Sequence, residues 1–323
     1  MNKVLYQKEE AKQFYENRYE GDYMDEWPIE KKQRIFNIIQ NLDLPESGNA
    51  IDFGCGNGVF TEVIRQALPK WKIYGCDISQ NAIENAKNRF PECTFFVSDN
   101  DRSVDLQFDF LFSHHVLEHV FDIKKTTKEI ADLLSPKSFT LHIFPCGNED
   151  SLEHKVCKML SGGINKEMEN RFYFEDEGHV RRLTTEQTNL LMKEFGFTLE
   201  NDFYSNQYYG AIKWITQSSP KFVMKFINPK TAIDKMAYKY LSILRFKLIL
   251  LHILQLPAIV FNMIKVVRNK NLKHYLILII DFIPFLISYP IYAIVNYRAK
   301  QEWESSKRLK NGSEMYLFYG RKN

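Results

Sequence analysis

The sequence predicts a doubly wound α/β fold, a parallel sheet with helices on both faces, on three observations. Short apolar runs alternate with amphipathic stretches from residue 50 to residue 204, the pattern of repeated β-α units. The first run ends in an acid and a glycine-rich turn, Ala50-Ile51-Asp52-Phe53-Gly54-Cys55-Gly56-Asn57-Gly58. A later run, Phe108 to Ser113, is apolar at nearly every position, as a strand buried on both faces must be. With 323 residues, 45% of them apolar, the chain has ample material for such a core.

Taken in order, residues 1–47 read as an N-terminal helical cap. Residues 9–27 are polar and carry Tyr15, Tyr19, Tyr23 and Trp27. Pro28 suits the first turn of a second helix, whose apolar face is Ile35, Phe36, Ile38, Ile39 and Leu42 before Pro45 and Gly48 end it. After the glycine turn, Val59 to Leu68 is an amphipathic helix. Trp71 to Cys76 alternates as a second strand tipped by Asp77; Ser79 then caps a helix over Gln80 to Arg89, which Pro91 breaks. Cys93 to Val97 is the third strand, closing in Ser98-Asp99-Asn100. Beyond Phe108–Ser113 and a histidine-rich segment, Asp122 caps a helix to Leu134, and Ser138 to Phe144 forms a fifth strand stopped by Pro145. Cys146 to Arg182 reads as a long polar loop over the carboxyl ends of the strands. Thr184 and Gln187 have the form of a capping box for a helix through Glu194, and Thr198 to Tyr204 is the sixth strand.

The glycine turn carries the chemistry. Glycine at 54, 56 and 58 permits positive φ and removes the side chains that would keep a ligand off the backbone N–H groups. A nucleotide-like ligand is therefore expected there, at a helix N-terminus. The G-x-G-x-G spacing is neither the dinucleotide fingerprint nor a P-loop. Asp52 points the same way: a carboxylate at the strand tip accepts from an amine and repels a pyrophosphate. Asp77, at the tip of the next strand, is placed to bind ribose hydroxyls.

Ile51 to Gly58 resembles motif I of the class I S-adenosylmethionine-dependent methyltransferases, and Val116-Leu117-Glu118-His119 is a second likeness, to that family's small-molecule and quinone-type branch. The resemblance implies a Rossmann-like sheet of seven strands, the last antiparallel, and S-adenosyl-L-methionine as cofactor. It implies cofactor contacts from Asp52, Gly54, Cys55, Gly56, Gly58 and Asp77, with Ile78 on the adenine ring and Asp99 on its amine. Ser113 and His114 fall beside the methionine part, and His115 falls at the mouth facing substrate. His179 and Arg181 match an H-x-R segment of such enzymes, where they either line the substrate pocket or tie the loop down. For an acceptor hydroxyl, His115 is the first choice of base and His179 the second.

No metal constellation is read from the sequence. The five cysteines make no C-x-x-C pair and no zinc-spaced cluster, which implies a reduced compartment. Residues 1–20 lack the apolar region of a secretory signal, so the expected location is cytoplasmic.

The core is expected to comprise residues 48–206 and 313–323, because the candidate seventh strand, Glu314 to Tyr319, follows an insertion, 207–312. The net charge of +3 conceals a division there. Residues 1–206 hold 24 Lys and Arg against 35 Asp and Glu, a net of −11, whereas 207–312 hold 17 against 4, a net of +13. Leu248 to Val267 and Tyr275 to Tyr297 are apolar runs of membrane-spanning length. A hairpin crossing the bilayer would strand the cations of Arg268 to Lys273 on the far side, against the positive-inside rule, and one crossing would separate the seventh strand from its sheet. Lying within the near leaflet satisfies both constraints, with flanking cations such as Lys239, Arg245, Arg298 and Arg308 as a second attachment signal.

The expected function is therefore methyl transfer from S-adenosylmethionine to an amphipathic or lipid-linked small molecule, a quinone precursor or carrier-bound sugar, at the inner membrane face. O-methylation is favoured. The partners expected are that acceptor and an anionic membrane surface. The rival readings are a catalytically silent cofactor-binding scaffold on the membrane and a soluble methyltransferase whose insertion is a dimer interface or substrate cap. A nucleic acid partner is disfavoured, since the cations accompany apolar helices and not stacking aromatics on strands.

Overall fold

The computed structural model describes residues 8–20, 27–98, 106–267 and 270–321. The chain forms two compact units interleaved in sequence: residues 1–145, 176–202 and 315–323 make the first, and 146–175 with 203–314 the second.

The sheet strands are β1 (Asn49–Phe53), β2 (Lys72–Asp77), β3 (Thr94–Val97), β4 (Phe108–His114) and β5 (Leu134–Pro145). They are followed, after a short antiparallel pair β6 (Ile164–Asn165) and β7 (Arg171–Phe172), by β8 (Phe197–Ser205) and β9 (Glu314–Arg321). Their order in the seven-stranded sheet is β3-β2-β1-β4-β5-β9-β8. The first five strands pair in parallel. β9 runs against its neighbours: Ser313 N donates to Ser205 O and Cys146 N to Ser313 O at one end, while Arg321 Nη1 donates to Leu134 O at the other. The predicted α/β class, the seven strands and the antiparallel last one are all present.

The order reverses at β1 and β4. Chain leaving β1 crosses to β2 and β3 on one side, and chain leaving β4 crosses to β5 on the other, so right-handed connections put helices on opposite faces. The carboxyl ends of β1 and β4 thus open a crevice at the switch point, where open α/β sheets bind ligands.

The helices of this unit are α1 (Lys8–Tyr19), α2 (Ile29–Gln40), α3 (Val59–Ala67), α4 (Gln80–Arg89) and α5 (Ile123–Leu133), with α7 (Thr185–Glu194) after the short α6 (Leu152–Lys158) of the second unit. Their starts follow local chemistry. Ser79 accepts from Ala82 N, Asp122 accepts from Lys125 N, and Thr184 with Gln187 completes a capping box. One strand begins earlier than its sequence suggests. β5 starts at Leu134, with Pro136 inside it, because the pairing with β4 slips between Phe108–Leu134 and Phe110–Phe139 and absorbs the extra residues as an irregularity.

The second unit contains α6, α8 (Tyr209–Thr216), α9 (Pro220–Phe226), α10 (Lys235–Val266), α11 (Leu272–Ile280) and α12 (Phe282–Ser306). The stretch that reads as a polar loop contributes apolar anchors here. Leu152, Val156, Phe172 and Phe174 share one core with Phe226 of α9 and Leu241 of α10. Farther along α10, polar groups take over: His252 Nδ1 lies 2.7 Å from Thr216 O, and Gln255 Nε2 donates to Thr216 Oγ1 at 3.2 Å. Glu302 of α12 accepts from the backbone N–H groups of Tyr208, Tyr209 and Gly210, offsetting the positive end of α8.

Among the described residues, α10 is a single helix long and apolar enough to cross a membrane; α11 and α12 pass that test only as a pair, bent by 68° at Asp281. Much of this apolar surface faces outward. Ile279 and Ile280 are 72% and 75% exposed, and no residue of α11 is buried.

Candidate cofactor and active site

Phe53 ends β1, and the chain turns through Gly54 and Gly56 at φ of +75° and +51°. Gly54 N and Cys55 N donate to Cys76 O, which fixes the turn to the end of β2. Two of the glycines are required by close neighbours as well as by φ. A side chain on Gly54 would run into Val116, and a Cβ on Gly56 would sit 2.7 Å from the Tyr19 hydroxyl of α1. Gly58, also at positive φ, is the N-cap of α3 and has no side chain with which to cap it. Cys55 is buried and its thiol is pushed up by burial, so it stays neutral in the turn.

Two buried acids flank the turn. Asp52 Oδ2 accepts from Thr61 Oγ1 at 2.7 Å. Burial raises its pKa to about 7, the Thr61 hydroxyl opposes that, and the charge of Asp77 adds to it. Asp77 accepts from Gly56 N at 2.9 Å and from Ser79 N at 3.0 Å. Burial keeps it above its ordinary value although both N–H groups favour the charged form. Ile78, beside it, is half-buried at the strand end. Asp99 and Tyr23 lie outside the described residues.

Sequence reasoning passed over Glu16. From α1 it accepts from Ser79 Oγ at 2.8 Å, Gln80 N at 2.7 Å and Asn81 N at 3.1 Å, at the N-terminus of α4 next to Asp77. Burial lifts its pKa, but these donors outweigh burial and hold it below the usual value. Nothing local in the sequence marks Glu16, since its partners lie more than sixty residues away.

At the end of β4, neighbouring residues face different surroundings. Ser113 is buried with its hydroxyl 2.7 Å from His142 Nδ1, so its side chain is engaged within the core. His114 is buried among aromatic rings, 4.3 Å from Phe60 and 4.7 Å from Trp27 between centroids. His115 takes a left-handed φ of +56°, uncommon for a residue with a side chain. Its Nδ1 lies 2.6 Å from Glu118 Oε1, and its ring stacks on Trp27 at 6.0 Å. The next residue, Val116, is the one that packs against Gly54.

Glu118 is the hub of this corner. Burial opposes its ionisation, yet His115, His119 and His179 together outweigh burial and lower it to about 2. His119, lowered to about 4 by burial and by His179, has Nδ1 2.8 Å from the Tyr15 hydroxyl. His179 stands edge-on to His119 at 4.6 Å. One possible ligand atom from each of Glu118, His119 and His179 lies within 4.8 Å of the others, a grouping that could hold a metal ion. No metal constellation is read here from the sequence: Glu118 and His119 are neighbours in the chain, but the partner at 179 is joined to them only by the fold. Of the two roles open to the H-x-R segment, Arg181 performs the tie: it donates to Val120 O, to Leu117 O at 3.4 Å and to Phe121 O at 2.8 Å.

Comparison with known proteins adds the family. A family model described as "Methyltransferase domain" matches residues 23–201. The chain is similar to trans-aconitate 2-methyltransferase of Variovorax paradoxus, 26% identical over 138 residues that cover 41% of this chain and 51% of the relative. It is similar also to trans-aconitate 2-methyltransferase of Afipia carboxidovorans, 26% identical over 41% of this chain and 52% of that one. The chain spans about half the length of either relative. Among solved structures, magnesium protoporphyrin IX methyltransferase of Synechocystis with bound SAH matches at a TM-score of 0.46 and 18% identity, covering 63% of this chain and 95% of its own. YcgJ of Bacillus matches at a TM-score of 0.45 and 13% identity, covering 91% and 99%. With more than half of its residues inside the family model, the chain belongs to the class I S-adenosylmethionine-dependent methyltransferases.

Proposed function

We propose that this protein transfers a methyl group from S-adenosylmethionine to a hydroxyl of an amphipathic or lipid-linked small molecule at a membrane face. The observation that carries the reading is the His115–Glu118 pair. An imidazole held at 2.6 Å by a buried carboxylate stands one residue from Val116, which packs on the glycine turn.

When bound, the cofactor supplies an electrophilic methyl on a sulfonium sulfur. The chain's part is to orient and to move a proton. Asp52 is the candidate acceptor for the ligand's amine, and Asp77 with Glu16 beside it offers carboxylate oxygens to ribose hydroxyls. Glu118, ionised, accepts from His115 Nδ1 and leaves Nε2 as the base, the arrangement in which a carboxylate fixes the tautomer of a catalytic imidazole. The acceptor hydroxyl would pass its proton to His115 Nε2, which Glu118 keeps available by holding Nδ1 at 2.6 Å.

The membrane part of the reading is supported by the second unit. Outward-facing Ile279, Ile280, Ile283 and Ile287 accompany a region of net charge +13, and apolar contact plus cations are the two signals of stable interfacial attachment. Isothermal titration of the full chain with S-adenosylmethionine tests the first part, and absence of binding at millimolar ligand overturns it. Co-sedimentation with anionic vesicles tests the second; a chain that stays in the supernatant as a dimer supports an interface between copies in place of a membrane.

A further inference from the structure

The geometry points to a divalent transition-metal site formed by Glu118, His119 and His179. It stands on these side chains alone and does not depend on the identity of the methyl donor or acceptor. Glu118 Oε1 is occupied by His115 Nδ1, but Oε2 is buried with no hydrogen-bond partner among the described residues, in a residue only 1% exposed. An ionised oxygen left so is costly unless something positive meets it. His119 Nε2 lies 3.9 Å from the same carboxylate, and a nitrogen of His179 completes a triangle of donors no more than 4.8 Å on a side.

The surroundings suit ligation. Nδ1 of His119 lies 2.8 Å from Tyr15 Oη; in the tautomer that donates this proton to Tyr15, Nε2 presents its lone pair to the triangle, and such an outer partner is the usual companion of a metal-binding imidazole. His179 is held in place by its own loop. His179 N donates to Asp176 O, Val180 N donates to Glu118 O, and the Asp176 carboxylate pairs with Arg18 at 2.8 Å. Two imidazoles and one carboxylate suit Zn²⁺, Mn²⁺, Fe²⁺ or Co²⁺ better than Mg²⁺ or Ca²⁺, which prefer all-oxygen shells. Three protein ligands also leave a position open, the mark of catalytic and not structural sites. A metal here would clip together α1, the 115–121 turn and the 176–181 loop. The purely structural alternative is a proton-shared cluster of the same three groups with no affinity for ions.

The test is titration of Co²⁺ into the chelator-treated full chain, read by visible absorption and by elemental analysis after desalting. The expected result is one ion per chain with ligand-field bands that Zn²⁺ abolishes. Those bands disappear in His119→Ala and in His179→Ala, and persist in His274→Ala, whose imidazole lies in the second unit. Tyr15→Phe, which keeps all three ligands, weakens Co²⁺ affinity about tenfold to a hundredfold. Circular dichroism confirms that each variant is folded, and Tyr15→Phe keeps the test decisive if a ligand variant is not. Wild type binding Co²⁺ no better than the His119→Ala/His179→Ala double variant overturns the inference, as do bands that survive both replacements.

Discussion

Helices α3 and α11 are each nine residues long and rich in apolar side chains, and they use them in opposite ways. α3 buries Val59, Phe60, Val63, Ile64 and Ala67 against the sheet, whereas α11 buries none of its residues. The difference teaches that apolar content does not say which side chains a fold uses for its own stability. In the sheet unit burial stabilises the folded chain. In the helical unit the N-terminal half of α10 shares an enclosed core with its partners, Ala258 and Ile259 are buried farther along it, and α11 keeps the same chemistry at the surface.

The comparison breaks most sharply on a pair of truncations. Phe112→Ala, at a fully buried ring in β4, is expected to lower stability by about 3–5 kcal/mol in denaturant unfolding. Ile280→Ala is expected to change it by less than about 0.5 kcal/mol, while lowering the fraction bound to anionic vesicles. Equal losses of stability would show that the outward face is part of the core after all.

Acid titration separates the units next. His142, buried beside Ser113, has its pKa lowered to about 3 by burial. It is neutral in the folded chain and charged when unfolded below about pH 6.5, so its contribution is intact above that value and is lost progressively as pH falls toward 3. His142→Phe should flatten this part of the stability profile measured by chemical denaturation. An unchanged slope would place the acid sensitivity elsewhere.

A smaller effect sharpens the reading of the turn. Asp52, raised to about 7, must shed its proton to accept from a cationic amine. S-adenosylmethionine should therefore bind several-fold more tightly at pH 8 than at pH 6 and release protons at the lower pH, as calorimetry in two buffers of different ionisation enthalpy would show. Asp52→Asn should bind weakly at both. The smallest effect lies in the helical unit, where Glu302→Gln weakens the cap on α8 and is expected to cost about 1 kcal/mol of stability without changing cofactor affinity.

Much of the sheet unit was legible because its signals are local. The glycines at 54, 56 and 58, the acid tips Asp52 and Asp77, and the caps at Ser79, Asp122 and Thr184 each act within a few residues of themselves. What escaped was long-range. Glu16 and Tyr15 are two polar residues in a polar helix until the fold sets them against Ser79 and His119. Ser113 carries no mark of its turn toward His142, and the apolar anchors of the 146–175 stretch are too sparse to announce a core. His119 gains its interest as a possible ligand only when the loop brings His179 alongside.

The place of β9 has a consequence for how the chain is made. It lies between β5 and β8, yet it is synthesised only after the whole of the helical insertion. During translation the sheet therefore waits with an unfilled slot while a long greasy stretch emerges, and pairings this distant in sequence form slowly. The slot can close only after α10, α11 and α12 have all left the ribosome, so completion of the sheet is the last step that synthesis permits.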